Sequence, residues 1–183
     1  YVLRASASPH VAQCLASYSD VVSLCKNISN EELKASVKIR PYQNMGWDSE
    51  SRFKDELGAE YIQDRTTLIE AYDQARIIVC TYPQTTFSEG MISGRPTLLL
   101  YQESFWEISE IFNELLELLR DAKIVHDDPI SLAEHLDNIW SDPESWWSSS
   151  EVLIAREKFT DVAVSVPKDS IGVWAQFLYS YKK

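Results

Sequence analysis

The chain is poor in the residues that build unusual architectures. Of 183 residues, only five are glycine and seven proline, which excludes collagen-like and linker-like chains. Its three cysteines, Cys14, Cys25 and Cys80, are odd in number and widely spaced, with no C-x-x-C and no zinc-like interval. Cys80 lies in an apolar run and reads as a small buried hydrophobe, so a reducing compartment fits. Every apolar run falls far short of the ~20 residues a membrane-spanning helix needs. Positive charge is also scarce: 17 Lys and Arg against 28 Asp and Glu give a net charge of -11. Such a surface repels polyphosphate and anionic lipid, which argues against nucleic-acid partners but leaves room for one local phosphate pocket.

Several catalytic signatures are missing. There is no G-x-S-x-G elbow, no G-x-x-x-x-G-K-[ST] loop and no G-x-G-x-x-G after a strand, which argues against an α/β-hydrolase, P-loop phosphoryl transfer and NAD binding. No D-x-D occurs, so the simplest metal-bound sugar-diphosphate site is absent from the sequence and no metal is expected. The Asn27–Ser29 N-x-S triplet is cheap to match by chance, and no signal peptide is expected before it.

What remains is an ordinary globular composition, 45% apolar and 25% charged. A domain of this length buries roughly 70% of its unfolded surface. With no repeat, low-complexity tract or clear linker, residues 1–183 read as one domain. The chain begins at Tyr1, without Met, directly on a strand-like run, and is expected to be a piece of a longer protein.

Short apolar or β-branched runs alternate with amphipathic stretches. The runs are Tyr1–Leu3, Val37–Arg40, Glu60–Ile62, Arg76–Thr81, Thr97–Tyr101 and Lys123–His126. The predicted helices are Val11–Cys25, Ser49–Leu57, Thr67–Gln74, Thr86–Ser93, Ile108–Arg120 and Ser131–Trp140. Asp128-Pro129 and Asp142-Pro143 each read as an N-cap followed by proline at the first helical position. Ile77–Cys80 and Leu98–Leu100 are apolar without alternation, as in parallel strands covered on both faces. The expected fold is α/β: a doubly wound, mostly parallel, six-stranded Rossmann-like sheet with helices on both faces and a helical, aromatic-rich C-terminal tail. The tail's Trp residues could stack on sugars, but packing is the commoner use of large aromatics.

Open parallel sheets bind ligands at the carboxyl ends of their strands. The most informative such end is Arg76–Gly90, where a strand closing at Thr81 leads through Pro83 and Gln84 into a helix. That helix start offers free N–H groups, a positive dipole end and the hydroxyls of Thr85 and Thr86, which is a phosphate site in principle. Glu89, about 5 Å further along the axis, suits the hydroxyls of a ribose. The competing reading is a capping box, with Thr86 as N-cap and Glu89 reaching back. Arg40, held extended by Pro41, could fork onto a phosphate or carboxylate, or simply pair with an acid at the surface. Arg4, followed by Ser6 and Ser8, is a weaker candidate of the same kind. His126 closes the sixth run beside Asp127 and Asp128 and is a possible ligand contact. His10 and His135 are weaker, and His135 could be a surface residue of its helix.

Read together, these stretches resemble a known family. They are Ile39–Tyr42, Gly46-Trp47, Thr81-Tyr82, Thr85–Phe87 with Glu89, Pro96-Thr97, Trp106-Glu107, His126-Asp127, Ile139-Trp140, Trp146-Trp147 and Ala155–Glu157. In this order, across nearly the whole chain, the set is similar to the C-terminal, donor-binding half of GT-B type surface-carbohydrate transferases. These are relatives of the CDP-glycerol glycerophosphotransferases and capsule polysaccharide transferases. The resemblance implies transfer of a sugar or glycerophosphate unit from a nucleotide-activated donor to a surface-polysaccharide acceptor, without metal or further cofactor. It implies that Thr85 and Thr86 bind donor phosphate, that Arg40 meets a phosphate or acidic sugar group and that Glu89 binds ribose. Arg4 is a further candidate for binding donor phosphate, and Thr81, Gln84, Ser8 and His126 are the candidate ligand contacts. It places the acceptor site and the catalytic base in a separate N-terminal domain, so that this half alone would turn over little. A cytoplasmic location is implied, including a peripheral one at the inner face of the membrane. Two departures stand out. Gln84 occupies a position where Gly or Ser is usual, and Gly90-Met91 replaces Leu-Ala. Two other functions fit the same architecture: a non-catalytic interaction module and a sugar-nucleotide epimerase.

Overall fold

Two uninterrupted apolar runs decide where the sheet forms. In the computed structural model, which describes residues 11–41, 48–63, 66–105, 108–164 and 168–181, β1 (Ile78–Cys80) and β2 (Thr97–Leu100) pair in parallel, with Val79 opposite Leu98. A two-residue strand, β3 (Val125–His126), pairs in parallel with the far edge of β2, giving the order β1-β2-β3. β2 is buried along its whole length, and Leu98 is completely inaccessible to solvent.

Ten α-helices surround this sheet among the described residues. They are α1 (Val11–Asn27), α2 (Glu31–Ser36), α3 (Ser49–Leu57), α4 (Leu68–Gln74), α5 (Thr85–Ile92), α6 (Asn113–Asp121), α7 (Pro129–Ile139), α8 (Pro143–Trp147), α9 (Ser150–Phe159) and α10 (Ser170–Ser180). Side-chain alternation along β2 splits the core in two. Leu99, with Ile78, Cys80 and Val125, packs under α5, α6 and α9 through Phe87, Met91, Leu115, Leu119 and Ala155. Leu98 and Leu100 face the other way, onto Leu24 of α1 and Leu132, Leu136 and Ile139 of α7.

The six-stranded doubly wound sheet is not what forms. The described chain is 67% helical and holds a three-stranded parallel sheet. Val37–Arg40 and Glu60–Ile62 contribute only one isolated parallel bridge, Ile39 to Ile62. The reason is local. Val37–Arg40 alternates apolar with charged residues, and Lys38 and Arg40 stay exposed. Ala59–Tyr61 is spent on a 3-10 turn, leaving Ile62 alone to pair. The Tyr1–Leu3 run lies outside the described residues. The winding differs as well. Both crossover helices, α5 and α6, pack on the Leu99 face, and the strands follow one another in chain order. No reversal of strand order, the usual place for a ligand crevice, occurs among the described strands.

Local punctuation follows the expected chemistry. Asp128 caps α7 by accepting from the Ser131 N–H at 2.7 Å, and Asp142 caps α8 by accepting from Ser145 at 3.1 Å, each with proline next. Gly90 marks a close approach: a Cβ there would lie 2.9 Å from Thr97 Cγ2, on a fully buried side chain. Gly90→Ala is therefore expected to destabilise the protein by about 1 kcal/mol, overpacking of about 1–3 kcal/mol outweighing the gain in helix propensity. Urea unfolding measures it, and a stabilised variant would show that α5 and β2 can separate at no cost.

Candidate functional site

The strand-to-helix turn after β1 is built by backbone geometry. Gln84 is extended, and its carbonyl accepts from the Phe87 and Ser88 N–H groups at 3.0 and 3.1 Å. The helix therefore starts at Thr85, two residues earlier than the capping-box reading requires. Thr86 lies inside the first turn, and Gln84, the residue at the cap position, makes no side-chain cap bond. Gln84, Thr85 and Thr86 are exposed, and Glu89 is half-buried. Glu89 does not reach back to the helix start. Tyr72 of α4 donates its hydroxyl to the Thr86 carbonyl at 3.1 Å and stands 3.4 Å from Glu89 Oε2. Burial, with the Cys80 and Glu89 charges adding to it, pushes the Tyr72 phenol up to about 12, so it remains a donor.

Arg40 is reached from the other end of α4. Its Nη1 donates to the Thr66 carbonyl at 2.8 Å, just before Thr67 caps α4 in a true capping box with Glu70. Tyr72 lies five residues beyond Thr67, about 8 Å along the helix. One short helix thus ties Arg40 to the Thr86–Glu89 turn. Arg120, by contrast, is saturated: it bonds Glu103, Glu117 and Asp127 at 2.6–3.0 Å, linking the segments that follow β2 and β3. These bonds hold its guanidinium charged and leave it little capacity for a ligand anion.

Thr81 opens elsewhere. It lines a cleft of about 10 Å³ with Leu100, Gln102 and, from α1, Gln13, Ser17 and Asp20. That is room for about one water molecule. Gln102 Nε2 donates to Asp20 Oδ2 at 2.6 Å. Burial, then the charge of Asp128, raises the Asp20 carboxyl above its ordinary range, against the pull of that bond. Asp20 and Gln102 were not among the candidates. No motif marks them, because they meet only when α1 covers the strand ends.

His126 is buried with both ring nitrogens engaged: Nε2 lies 3.0 Å from the Lys123 carbonyl and Nδ1 3.2 Å from Ser131 Oγ. A carbonyl can only accept, so Nε2 carries the proton and Nδ1 accepts from Ser131. Burial lowers its pKa and favours this neutral form. His135 is buried too, at 7% exposure, rather than on the surface. A sequence signal existed, since Leu132, His135, Leu136 and Ile139 follow the i, i+3, i+4, i+7 stripe of a core-facing helix. Arg4, Ser8 and His10 lie outside the described residues, as do Gly46, Trp47, Trp106 and Glu107. Among the described residues no group of three or more His, Cys, Asp or Glu side chains is placed to hold a metal, and no helix is long and apolar enough to cross a membrane. Cys25 and Cys80 are buried, which pushes their thiols up to about 11 and about 12.

Among the described residues the fold is a mainly helical α/β arrangement around a short three-stranded parallel sheet. The family model of the LIC12162 family transferases matches residues 1–178, and the chain belongs to that family. No curated protein and no solved structure matches it.

Proposed function

We propose that this chain is the donor-binding domain of a transferase that moves a sugar or glycerophosphate unit from a nucleotide-activated donor to a surface-polysaccharide acceptor. The observation that carries this reading is the turn after β1. An uncapped helix start follows a strand end directly, with Thr85 and Thr86 exposed on its first turn and Glu89 one turn on, against Tyr72. First-turn N–H groups and two hydroxyls suit phosphate oxygens, and the same donors would stabilise the leaving phosphate as its charge develops. Tyr72 orients Glu89 towards ribose hydroxyls. Arg40 spends one N–H on Thr66 and keeps others for a second phosphate or an acidic sugar group. The catalytic base and the acceptor site belong to a separate N-terminal domain in this reading.

Titration of the full-length protein with CMP, CDP, UDP and GDP tests it. One nucleotide is expected to bind in preference, and Glu89→Ala and Arg40→Ala are each expected to weaken it about tenfold, or about 1.4 kcal/mol. No binding by any of the four would end the proposal.

The Tyr72 contacts favour one second reading, a non-catalytic module in which Glu89 and Thr86 merely staple α4 to α5. Glu89→Ala would then cost about 1 kcal/mol of stability and leave nucleotide binding unchanged.

A further inference from the structure

A second pocket lies away from the strand ends. It has a volume of about 290 Å³ and opens where β3 begins, between the last turn of α6, the C-terminal end of α7 and the start of α9. Asp121, Lys123, His135, Asn138, Trp146 and Glu151 line it. Because the three strands are parallel, this is the amino-terminal side of the sheet, and none of the donor candidates takes part in it.

The lining chemistry is selective. Two carboxylates and one ammonium leave the pocket with a net charge of -1, which disfavours phosphates and carboxylates. Carboxylates accept hydrogen bonds, the ammonium donates, and the Asn138 amide does both. A hydroxyl satisfies all three, because it is donor and acceptor at once. Trp146 adds one broad apolar wall. It is fixed between Trp147, with ring centroids 5.4 Å apart, and His135, edge-to-face at 5.0 Å. His135 is neutral at ordinary pH, since burial drives its pKa down to about 4. Its Nε2 is shielded from solvent and has no hydrogen-bond partner among the described residues. That nitrogen is sealed behind the pocket surface, so the His135 ring offers the pocket shape and no open hydrogen-bonding group. The volume lies at the lower end of the range for ligand pockets, about 300 Å³, and suits one ring rather than two.

We propose that this pocket is a second binding site, for a single neutral, hydroxyl-rich ring of monosaccharide size. The Trp146 indole would take the ring's C–H face, and Asp121, Asn138, Glu151 and Lys123 its hydroxyls. A carbohydrate transferase would thereby gain a hold on saccharide at a distance from the reacting bond. The site itself is independent of the donor reading, because it shares no residue with it.

The test is a titration of the full chain with glucose, galactose, mannose and N-acetylglucosamine, followed by saturation-transfer NMR and tryptophan fluorescence. Inorganic phosphate and glycine serve as charged controls. Asp121→Ala and Asn138→Ala change exposed side chains, and circular dichroism shows whether the fold is kept. The expected result is saturable binding of at least one sugar, weakened about fivefold or more in both variants (about 1 kcal/mol) and unchanged in Glu89→Ala. Three results would overturn the proposal: no saturable binding by any of the four sugars, binding unaffected by either variant, or occupancy by phosphate or glycine in preference to sugar. A protein that lost nucleotide binding in Glu89→Ala yet bound no sugar would retain the donor reading and lose this one.

Discussion

Truncating Trp147 to alanine is expected to lower the free energy of unfolding by about 3 kcal/mol, the lower part of the range for large buried aromatics. Trp147 is 2% exposed and belongs to the cluster that joins β1 and β2 to α5, α6 and α9. Its loss would open a cavity at the point where α8 hands over to α9. It would also strip a partner from Arg156, whose guanidinium carbon sits 4.0 Å from the indole centroid and whose Nη1 donates to the Trp147 carbonyl at 3.2 Å. Arg156 is half-buried, and burial already lowers its pKa, so removing the aromatic face leaves a poorly solvated charge. One feature works in the opposite direction. The indole Nε1 is buried with no hydrogen-bond partner among the described residues, and deleting it relieves that cost. This offset is why the low end of the range is expected. Urea unfolding monitored by circular dichroism gives the number, and a loss below about 1 kcal/mol would mean that the α8–α9 corner is not part of the cooperative core.

Acidification should destabilise the protein before most carboxylates titrate, by about 2 kcal/mol between pH 7 and pH 4.5, and His135 is the main source. Its pKa falls from the ordinary 6.5 to about 4 on folding, through burial first and then the nearby charges of His126 and Lys123. In that interval the unfolded chain binds a proton that the folded chain refuses. Stability is therefore complete above pH 6.5 and declines as pH falls towards 4. The full shift corresponds to about 3 kcal/mol. The smaller figure allows for solvent in the adjoining pocket and for screening by Asp121 and Glu151. His126, stacked on His135 with ring centroids 5.2 Å apart, adds an effect of the same sign, since burial lowers its pKa as well. The measurement is unfolding free energy at pH 7, 6, 5 and 4.5 for the wild type and His135→Leu. The variant is expected to show a visibly flatter profile. Identical slopes would mean that His135 is protonated in the folded protein, contrary to its burial.

Both predictions concern residues whose surroundings only the folded chain reveals, while other features were legible beforehand. The Asp128-Pro129 and Asp142-Pro143 caps form as read, because a cap is a bond between residues three apart and needs no distant partner. Helix α3 spans Ser49–Leu57 as its pattern predicts. The two apolar runs become β1 and β2 and are covered on both faces, because a run without alternation has no side to show to water. The Thr86–Glu89 box failed for an equally physical reason. The same residues can start a helix two positions earlier, and what drew Glu89 away was Tyr72, seventeen residues upstream.

The sequence by itself determined the two buried apolar strands, helix α3, where helices α7 and α8 start, and that the chain is strongly acidic. All of these depend on neighbours a few residues apart or on simple sums of charge. Only the tertiary structure decided that three strands and not six share the sheet, and that α5 and α6 lie on one face. It also decided that Arg40 is tied through α4 to the turn at Thr86, and that His135 and Trp146 wall a pocket. Each of these outcomes is a choice among distant partners, made by which contacts bury the most apolar surface and leave the fewest polar groups unpaired.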